Sequence, residues 1–281
     1  MNVVLQISDT HFGTEVPPVV DALLELTQRE QPNVVVWTGD VTQRARRKQF
    51  AAATRFAEAL APWTQRVLVL PGNHDIPLFD LPTRLRDPYG RYRNAFGTSL
   101  ETCYETEHLL VQCINTTRWY RRKDGEVSEE QIARVAERLR RAHPKQLRIV
   151  ATHQPLQAIR DSDLRNLLRG YADAARTWSH AGADILMGGH IHLPYIRALH
   201  AELRERGQHT WIVQAGTAFS KRIREGVPNS LNLIRYAADG SDVCTVERWD
   251  YAADTRRFRR VESHELPLTR EESPSDHIRL I

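Results

Sequence analysis

Short apolar runs alternate with helix-like spacings in the first part of the chain. The apolar run at residues 3–8 predicts a buried strand, and the spacing of Val and Leu at 19–26 predicts a helix. A β-branched run at 33–40 predicts a second strand, apolar positions at 50–60 a second helix, and the run at 66–75 a third strand. Strands that alternate with helices favour a parallel sheet joined by right-handed crossovers.

The alternation continues in the middle of the chain. HLLVQCINTT at 108–117 predicts a strand, and Ser128 with Gln131 forms a capping box that begins a helix. LRIVATHQP at 147–155 predicts the next strand. These signals extend the predicted α/β pattern beyond the first three strands.

The last third of the chain changes character. A helix is predicted over much of 163–180 and a strand at DILMGGHIH, 184–192. After about residue 195, short apolar runs separated by turns predict a series of short strands. No internal repeat or linker interrupts the pattern, which predicts one domain over 1–268 and a polar C-terminal tail over 269–281.

Residues 76–104 break the alternation. This stretch is rich in Pro and Arg and has no clear periodicity. Long irregular segments inside a compact domain are usually functional or disordered. We therefore expect an irregular segment that could cover a substrate.

Composition narrows the class of protein without naming a function. The 281 residues include 39 Lys and Arg and 35 Asp and Glu, so the net charge is +4. This charge is small for the length of the chain, and a nucleic-acid partner is not expected. Cys103, Cys113 and Cys244 are far apart in the sequence, so a disulfide framework is not expected. The chain shows neither a membrane-length apolar run nor a signal-peptide pattern, and a cytoplasmic location is the expectation. The oligomeric state is left open.

Metal-binding side chains follow the predicted strands. They are Asp9 and His11 after the first strand, Asp40 after the second, Asn73, His74 and Asp75 after the third, and then His153, His190 and His192. Ligands bind at the carboxyl ends of strands in open α/β sheets, so these side chains are expected to converge. Imidazole and carboxylate suit Zn, Mn and Fe. On extended backbone, Asp9 and His11 would point to one side, and so would the His190 and His192 pair.

The order D-x-H, GD, GNHD, H and GH-x-H resembles the calcineurin-like metallophosphoesterase superfamily. ISDTHFG, GDVT and GNHD resemble class III cyclic-nucleotide phosphodiesterases most, and the whole pattern spans residues 9–192. The resemblance implies an α/β fold, a four-layer αββα sandwich of two mixed sheets flanked by helices. It also implies two divalent or mixed-valence transition-metal ions, Mn, Fe or Zn, as cofactors.

The same resemblance implies a role for each residue of the pattern. The implied ligands of the first ion are Asp9, His11, Asp40 and His192, and those of the second are Asp40, Asn73, His153 and His190, with Asp40 bridging. His74 matches a catalytic histidine that binds no metal, and Asp75 matches an acidic partner that orients it. Gln43 stands where the Ser/Thr phosphatase branch has Asp, which argues against a protein phosphatase.

The implied activity is hydrolysis of a small anionic phosphodiester, with a 3′,5′-cyclic nucleotide as the leading substrate. The alternatives are a nucleotide-linked lipid, a glycerophosphodiester or a nucleic-acid phosphodiester, and a scaffold that has lost catalysis. Lipid binding would require an exposed apolar groove, for which residues 76–104 offer Phe79, Leu81, Leu85 and Phe96. The scaffold alternative is weakened because every residue of the pattern is present.

Residues 118–126 are the second segment expected to contact substrate. Arg118, Trp119 and Tyr120 follow a predicted strand and could lie over the metal edge of the sheet. An aromatic ring beside an Arg suits a base or sugar stacked above a phosphate. These three residues are the sequence-based prediction for substrate binding.

Overall fold

The computed structural model describes residues 1–204, 206–237 and 241–269, and within them two six-stranded sheets pack face to face. The strands are β1 (Asn2–Ile7), β2 (Val34–Trp37), β3 (Arg66–Val69), β4 (Cys103–Glu105), β5 (Leu109–Cys113), β6 (Leu147–Ala151), β7 (Ile185–Gly188), β8 (Tyr195–Ala198), β9 (Trp211–Gln214), β10 (Ser230–Tyr236), β11 (Val243–Ala252) and β12 (Arg257–Pro267).

Helices cover the outer faces of both sheets. They are α1 (Pro17–Glu30), α2 (Arg47–Leu60), α3 (Leu81–Arg86), α4 (Gly90–Phe96), α5 (Glu129–Arg140) and α6 (Tyr171–His180). The predicted capping box is present at the start of α5, where the Ser128 side chain accepts a bond from the Gln131 backbone N–H. Between β6 and α6, residues Asp161–Asn166 form a short 3₁₀ helix.

Both sheets are mixed. The first has the order β12-β11-β10-β1-β2-β3, in which β1, β2 and β3 are parallel and β10, β11 and β12 are antiparallel. The second has the order β4-β5-β6-β7-β9-β8, with a parallel centre of β5, β6, β7 and β9. The parallel strands bring several carboxyl ends to one side of the molecule, which is where a ligand site is expected.

Alternation along the strands creates three apolar layers between the four layers of backbone. Val4 and Val36 point toward the second sheet and pack with Ile149 and Met187. Their neighbours Leu5, Val35 and Trp37 point the other way, into a cluster with residues of α1 and α2. A third cluster joins the second sheet to α5 and α6 and contains the fully buried Trp178. The predicted αββα sandwich is confirmed.

The prediction of an irregular segment over residues 76–104 was wrong. Residues 76–104 contain the short helices α3 and α4, and α3 is capped by Asp80, whose side chain accepts a bond from the Thr83 N–H. The helix predicted over much of 163–180 is present as α6, which begins at Tyr171 after Gly170 (φ 84°) turns the chain. The single-domain assignment stays a prediction, and the predicted tail lies outside the described residues except for Thr269.

Candidate metal centre and substrate site

Four side chains meet where β1 and β2 end. Asp9, His11 and Asp40 are buried there. The His192 Nε2 lies 3.1 Å from the His11 Nε2 and 3.2 Å from the Asp9 Oδ1. The His11 Nε2 is also 3.7 Å from the Asp40 Oδ2. Two imidazole nitrogens and two carboxylate oxygens therefore point at one another, an arrangement that favours a shared cation.

A second group shares Asp40 with the first. The His153 Nε2 lies 3.3 Å from the Asp40 Oδ1 and 3.3 Å from the Asn73 Oδ1. Asp40, His153 and His190 each offer a ligand atom within 4.8 Å of the others. The two oxygens of Asp40 thus face different groups, as a bridging carboxylate would.

Two properties of these side chains suit metal binding: some of their polar atoms have no hydrogen-bond partner, and two of their imidazoles are neutral. Within the described residues, the Asp9 Oδ1 and the His190 Nδ1 are buried without a hydrogen-bond partner. The other Asp9 oxygen accepts bonds from the Ser8 hydroxyl and the His190 backbone N–H, which leaves the Oδ1 directed into the group. Burial lowers the pKa of His11 and of His190 to about 3, so both imidazoles are neutral, as metal ligands must be.

The carboxylates favour a positive charge at this position. Burial alone would lower the pKa of His153. The Asp40 and Asp9 carboxylates raise it by a larger amount, and the net pKa is about 9. The His153 Nδ1 donates to the Thr38 carbonyl oxygen at 2.8 Å, and the His192 Nδ1 donates to the Arg222 carbonyl oxygen at 2.5 Å. Bonds of this kind orient each ring with its Nε2 toward the site, which is how metal-binding histidines are usually held.

The residues converge for a reason that the sequence did not indicate. The expectation of extended backbone at Asp9, His11, His190 and His192 was wrong. The left-handed residues of the site are Asp9 (φ 52°), His11 (φ 43°), Asp40 (φ 49°), His190 (φ 72°) and His192 (φ 58°). Left-handed backbone, and not strand alternation, directs these side chains into one space.

Glycine is required at the close approach between strand ends. A Cβ at Gly72 would lie 2.0 Å from the Asp40 backbone nitrogen, and one at Gly189 would lie 2.0 Å from the Ser8 Oγ. Both distances are shorter than any Cβ allows, so only glycine fits at these two positions.

His74 lies at the open side of the metal groups, but Asp75 does not orient its ring. The His74 Nδ1 is 2.9 Å from the Gln43 carbonyl oxygen, which fixes the tautomer and directs the Nε2 toward the cavity. Asp75 instead accepts bonds from the backbone N–H groups of Gly72, Val41 and Thr42. Burial and the Asp40 carboxylate raise the pKa of Asp75 to about 7, while these bonds favour its charged form. The predicted contact is therefore corrected: Asp75 holds the loop that carries His74.

Arg222 is a site residue that sequence reasoning missed. Its guanidinium Nη1 lies 3.3 Å from the His74 Nε2 and 3.1 Å from the Gln43 Oε1. It lines a cavity of about 690 Å³ together with Asp40, Asn73, His74, His190 and His192; we call this space the metal cavity. The only sequence signal was a cluster of basic residues in SKRIR, without a motif to place it.

The three residues predicted to bind substrate lie in different places. The Arg118 guanidinium donates to the backbone carbonyls of Asn115 and Thr117 and to the Gln131 side chain, and it lines neither the metal cavity nor the cavities beside it. Its predicted position over the metal edge is wrong. Trp119 and Tyr120 are half exposed and lie farther out, beside the metal cavity.

Comparison with known proteins agrees with this geometry. The sequence profile described as Calcineurin-like phosphoesterase matches residues 3–194, which is more than half of the chain. The chain belongs to this family. No curated protein sequence matches it.

Solved structures share the fold of this calcineurin-like chain. A purple acid phosphatase from yellow lupin (Lupinus luteus) seeds matches 95% of this chain and 54% of its own, at 14% identity and a TM-score of 0.69. A dimetal phosphatase from Danio rerio matches 95% of this chain and 99% of its own, at 13% identity and a TM-score of 0.64. Vacuolar Protein Sorting 29 from Cryptosporidium parvum matches 95% and 98%, at 14% identity and a TM-score of 0.51. The chain spans about half the length of the lupin enzyme, and at these identities the likeness concerns the fold alone.

Membership of the calcineurin-like family places the chain among phosphoesterases that use a dinuclear divalent metal centre. The two side-chain groups that share Asp40 are its candidate ligands. Within the residues that the structure describes, no helix is both long enough and apolar enough to span a membrane.

Proposed function

We propose that this chain is a metal-dependent phosphodiester hydrolase. The observation that carries the proposal is the position of Asp40, whose Oδ2 faces His11 and whose Oδ1 faces His153. Asp9, His11, Asp40 and His192 would hold one divalent ion, and Asp40, Asn73, His153 and His190 the other. When bound, two such ions polarise a phosphoryl oxygen and make a water nucleophilic near neutral pH.

The residues around the metal groups suit binding of a phosphoryl group. Arg222 presents its guanidinium beside the His74 Nε2, where it could bind a phosphoryl oxygen. We propose that His74 acts in its doubly protonated form: the Nδ1–H donates to the Gln43 carbonyl, and the Nε2–H faces the leaving-group oxygen and transfers its proton there. Asp75 would act on catalysis only by holding the loop between β3 and α3.

On the sequence motifs alone, a small phosphodiester, with a 3′,5′-cyclic nucleotide as the leading example, is the first substrate candidate. It is supported by the sequence motifs that resemble class III cyclic-nucleotide phosphodiesterases. Manganese, iron or zinc as the ion, and a cytoplasmic location, are part of the same proposal. A diester with an apolar group is a second candidate, because an apolar surface adjoins the site.

The proposal is tested by comparing diesters with monoesters. Metal-depleted protein is loaded with Mn²⁺ and assayed with bis-p-nitrophenyl phosphate, p-nitrophenyl phosphate and 3′,5′-cyclic AMP. We expect a higher kcat/KM for the aryl diester than for the monoester, and no turnover after chelation of the metal. A monoester preference would make the chain a phosphomonoesterase. Full activity with one ion per chain would contradict the dinuclear site.

A further inference from the structure

An exposed apolar surface lies beside the metal site and has no role in the chemistry described above. Phe79 is 75% exposed and Leu85 is 67% exposed. We call this surface the apolar groove; it encloses about 510 Å³, and its apolar lining residues are Leu78, Phe79, Leu81, Leu85, Trp119 and Tyr120. Its volume falls within the range of roughly 300–1,000 Å³ that is usual for ligand pockets. Clustered exposed apolar side chains of this kind mark binding surfaces.

The apolar groove is continuous with the metal site. A middle cavity of about 620 Å³ is lined by Asn73 and His74 at one side and by Leu78, Tyr120 and Arg122 at the other. The same Leu78, Tyr120 and Arg122 also line the apolar groove. One ligand could therefore place a phosphoryl group near His74 and extend along these residues into the groove.

The two walls of the groove are tied together. The buried Arg84 donates to the Pro77 carbonyl oxygen at 3.0 Å and to the Arg121 carbonyl oxygen at 2.5 Å. Its guanidinium thus connects the segment that carries Phe79 to the loop that carries Tyr120. Phe96, which the sequence placed with these residues, packs instead against Trp37 in the core.

The chemistry of the lining selects the kind of occupant. Among the described residues, the lining contains Leu, Phe, Trp, Tyr and Arg side chains, and no Asp, Glu, Asn, Gln, Ser or Thr. The Tyr120 hydroxyl is already bonded to Glu126. A nucleobase in the groove would find few hydrogen-bond partners other than Arg side chains for its amino and carbonyl groups, whereas an aliphatic chain needs no such partner. The exposed Arg122, for which the described part of the chain shows no ion pair, adds a positive charge between groove and metal cavity.

We propose that the apolar groove holds the aliphatic chain of an anionic phosphate ester whose phosphoryl group lies at the metal site. The inference rests on the proposed function and makes it more specific. It favours an amphipathic ester over a cyclic nucleotide as the substrate. Binding of the chain would be driven by transfer of its methylene groups from water into the groove.

The experiment uses a series of p-nitrophenyl phosphodiesters with methyl, butyl and octyl groups, kept below their micelle concentrations. In the Mn²⁺-loaded protein, kcat/KM should rise by roughly fourfold for each methylene that enters the groove, mainly through KM. The double variant Phe79→Ser with Leu85→Ser should reduce the octyl-to-methyl ratio toward one. Val261→Ser, at a 52% exposed position on β12, is the matched control and should keep the wild-type ratio.

A parallel binding measurement separates the groove from the proposed activity. Calorimetry should show that octylphosphonate binds more tightly than methylphosphonate, with the difference lost in the double variant. If no ester is hydrolysed but this difference persists, the proposed hydrolase activity fails and the groove assignment stands. Equal kcat/KM along the series overturns the groove assignment. Equal kcat/KM along the series, together with co-sedimentation of the protein with phosphatidylglycerol vesicles that depends on Phe79, also overturns it. That result would make the surface a membrane contact.

Discussion

Substitution of Arg222 tests whether the site binds a phosphoryl group through a side chain as well as through metal ions. The guanidinium lies 3.3 Å from the His74 Nε2 and 3.1 Å from the Gln43 Oε1, near the long end of the hydrogen-bond range. Such contacts are easily exchanged for a shorter bond to a phosphoryl oxygen. A hydrogen bond to a charged group contributes about 1.5–3 kcal/mol.

This magnitude predicts the kinetic effect. Arg222→Gln should lower kcat/KM for bis-p-nitrophenyl phosphate by roughly 10- to 150-fold, since about 1.4 kcal/mol corresponds to a factor of ten. Arg222→Lys keeps the charge but loses the planar fork, so its loss should be intermediate. The His192 Nδ1 bonds to the backbone carbonyl of residue 222, which either variant retains. Metal content should therefore remain at the wild-type value.

The assay combines steady-state kinetics with metal analysis of each variant. Arg165→Gln is the matched control, because Arg165 lines the same cavity but is exposed and shows no ion pair within the described residues. An equal loss in Arg165→Gln would mean that general positive charge is responsible. Wild-type kcat/KM in Arg222→Gln would refute a direct role, and loss of an ion would make the effect structural.

Three further predictions concern the proposed metal ligand Asp40, the proposed catalytic residue His74 and the buried carboxylate of Glu247. Asp40→Ala should bind less metal than any other single-ligand variant, because both groups lose a ligand; metal analysis that finds two ions would contradict the bridge. His74→Asn should keep both ions and lose roughly 10²- to 10⁴-fold in kcat, and unchanged kcat would exclude it from proton transfer. Burial raises the pKa of Glu247, but bonds from Arg260 and Trp249 outweigh it, so the net pKa lies below the usual value. The charged Glu247 therefore contributes its full stabilisation of the folded state above the unfolded pKa, near 4.5, and loses it as the pH falls through the folded pKa. In urea unfolding, the free energy of unfolding of Glu247→Gln should decrease less steeply at acid pH than that of wild type.

Much of the fold and of the metal groups could be predicted because both depend on local patterns. Asp9, Asp40 and His153 each follow an apolar strand, and parallel strands end on the same side of a sheet. The short helices α3 and α4 have six and seven residues, less than two full turns. An apolar stripe cannot be recognised over so short a length, and the sequence therefore predicted an irregular segment.

The positions of Arg222 and Arg118 could not be predicted from the sequence. The loop that carries Arg222 reaches the site through backbone bonds, from the Ala218 N–H to the Ser8 carbonyl and from the Lys221 N–H to the Thr14 carbonyl. Backbone bonds between distant segments leave no side-chain pattern. Arg118 was grouped with Trp119 because the two are adjacent, but adjacent side chains on an irregular segment point in different directions.

The left-handed backbone at the metal groups has a consequence for engineering the stability of this chain. Left-handed φ costs a residue with a Cβ roughly 1–2 kcal/mol, somewhat less for Asp. Five such positions, among them His11 and His190, together cost an amount comparable with the net stability of a typical domain, about 5–15 kcal/mol. Glycine at any of them would relax the backbone and remove a candidate metal ligand in one step. Selection for thermostability alone would therefore not preserve these side chains, and a library meant to retain activity should hold them fixed.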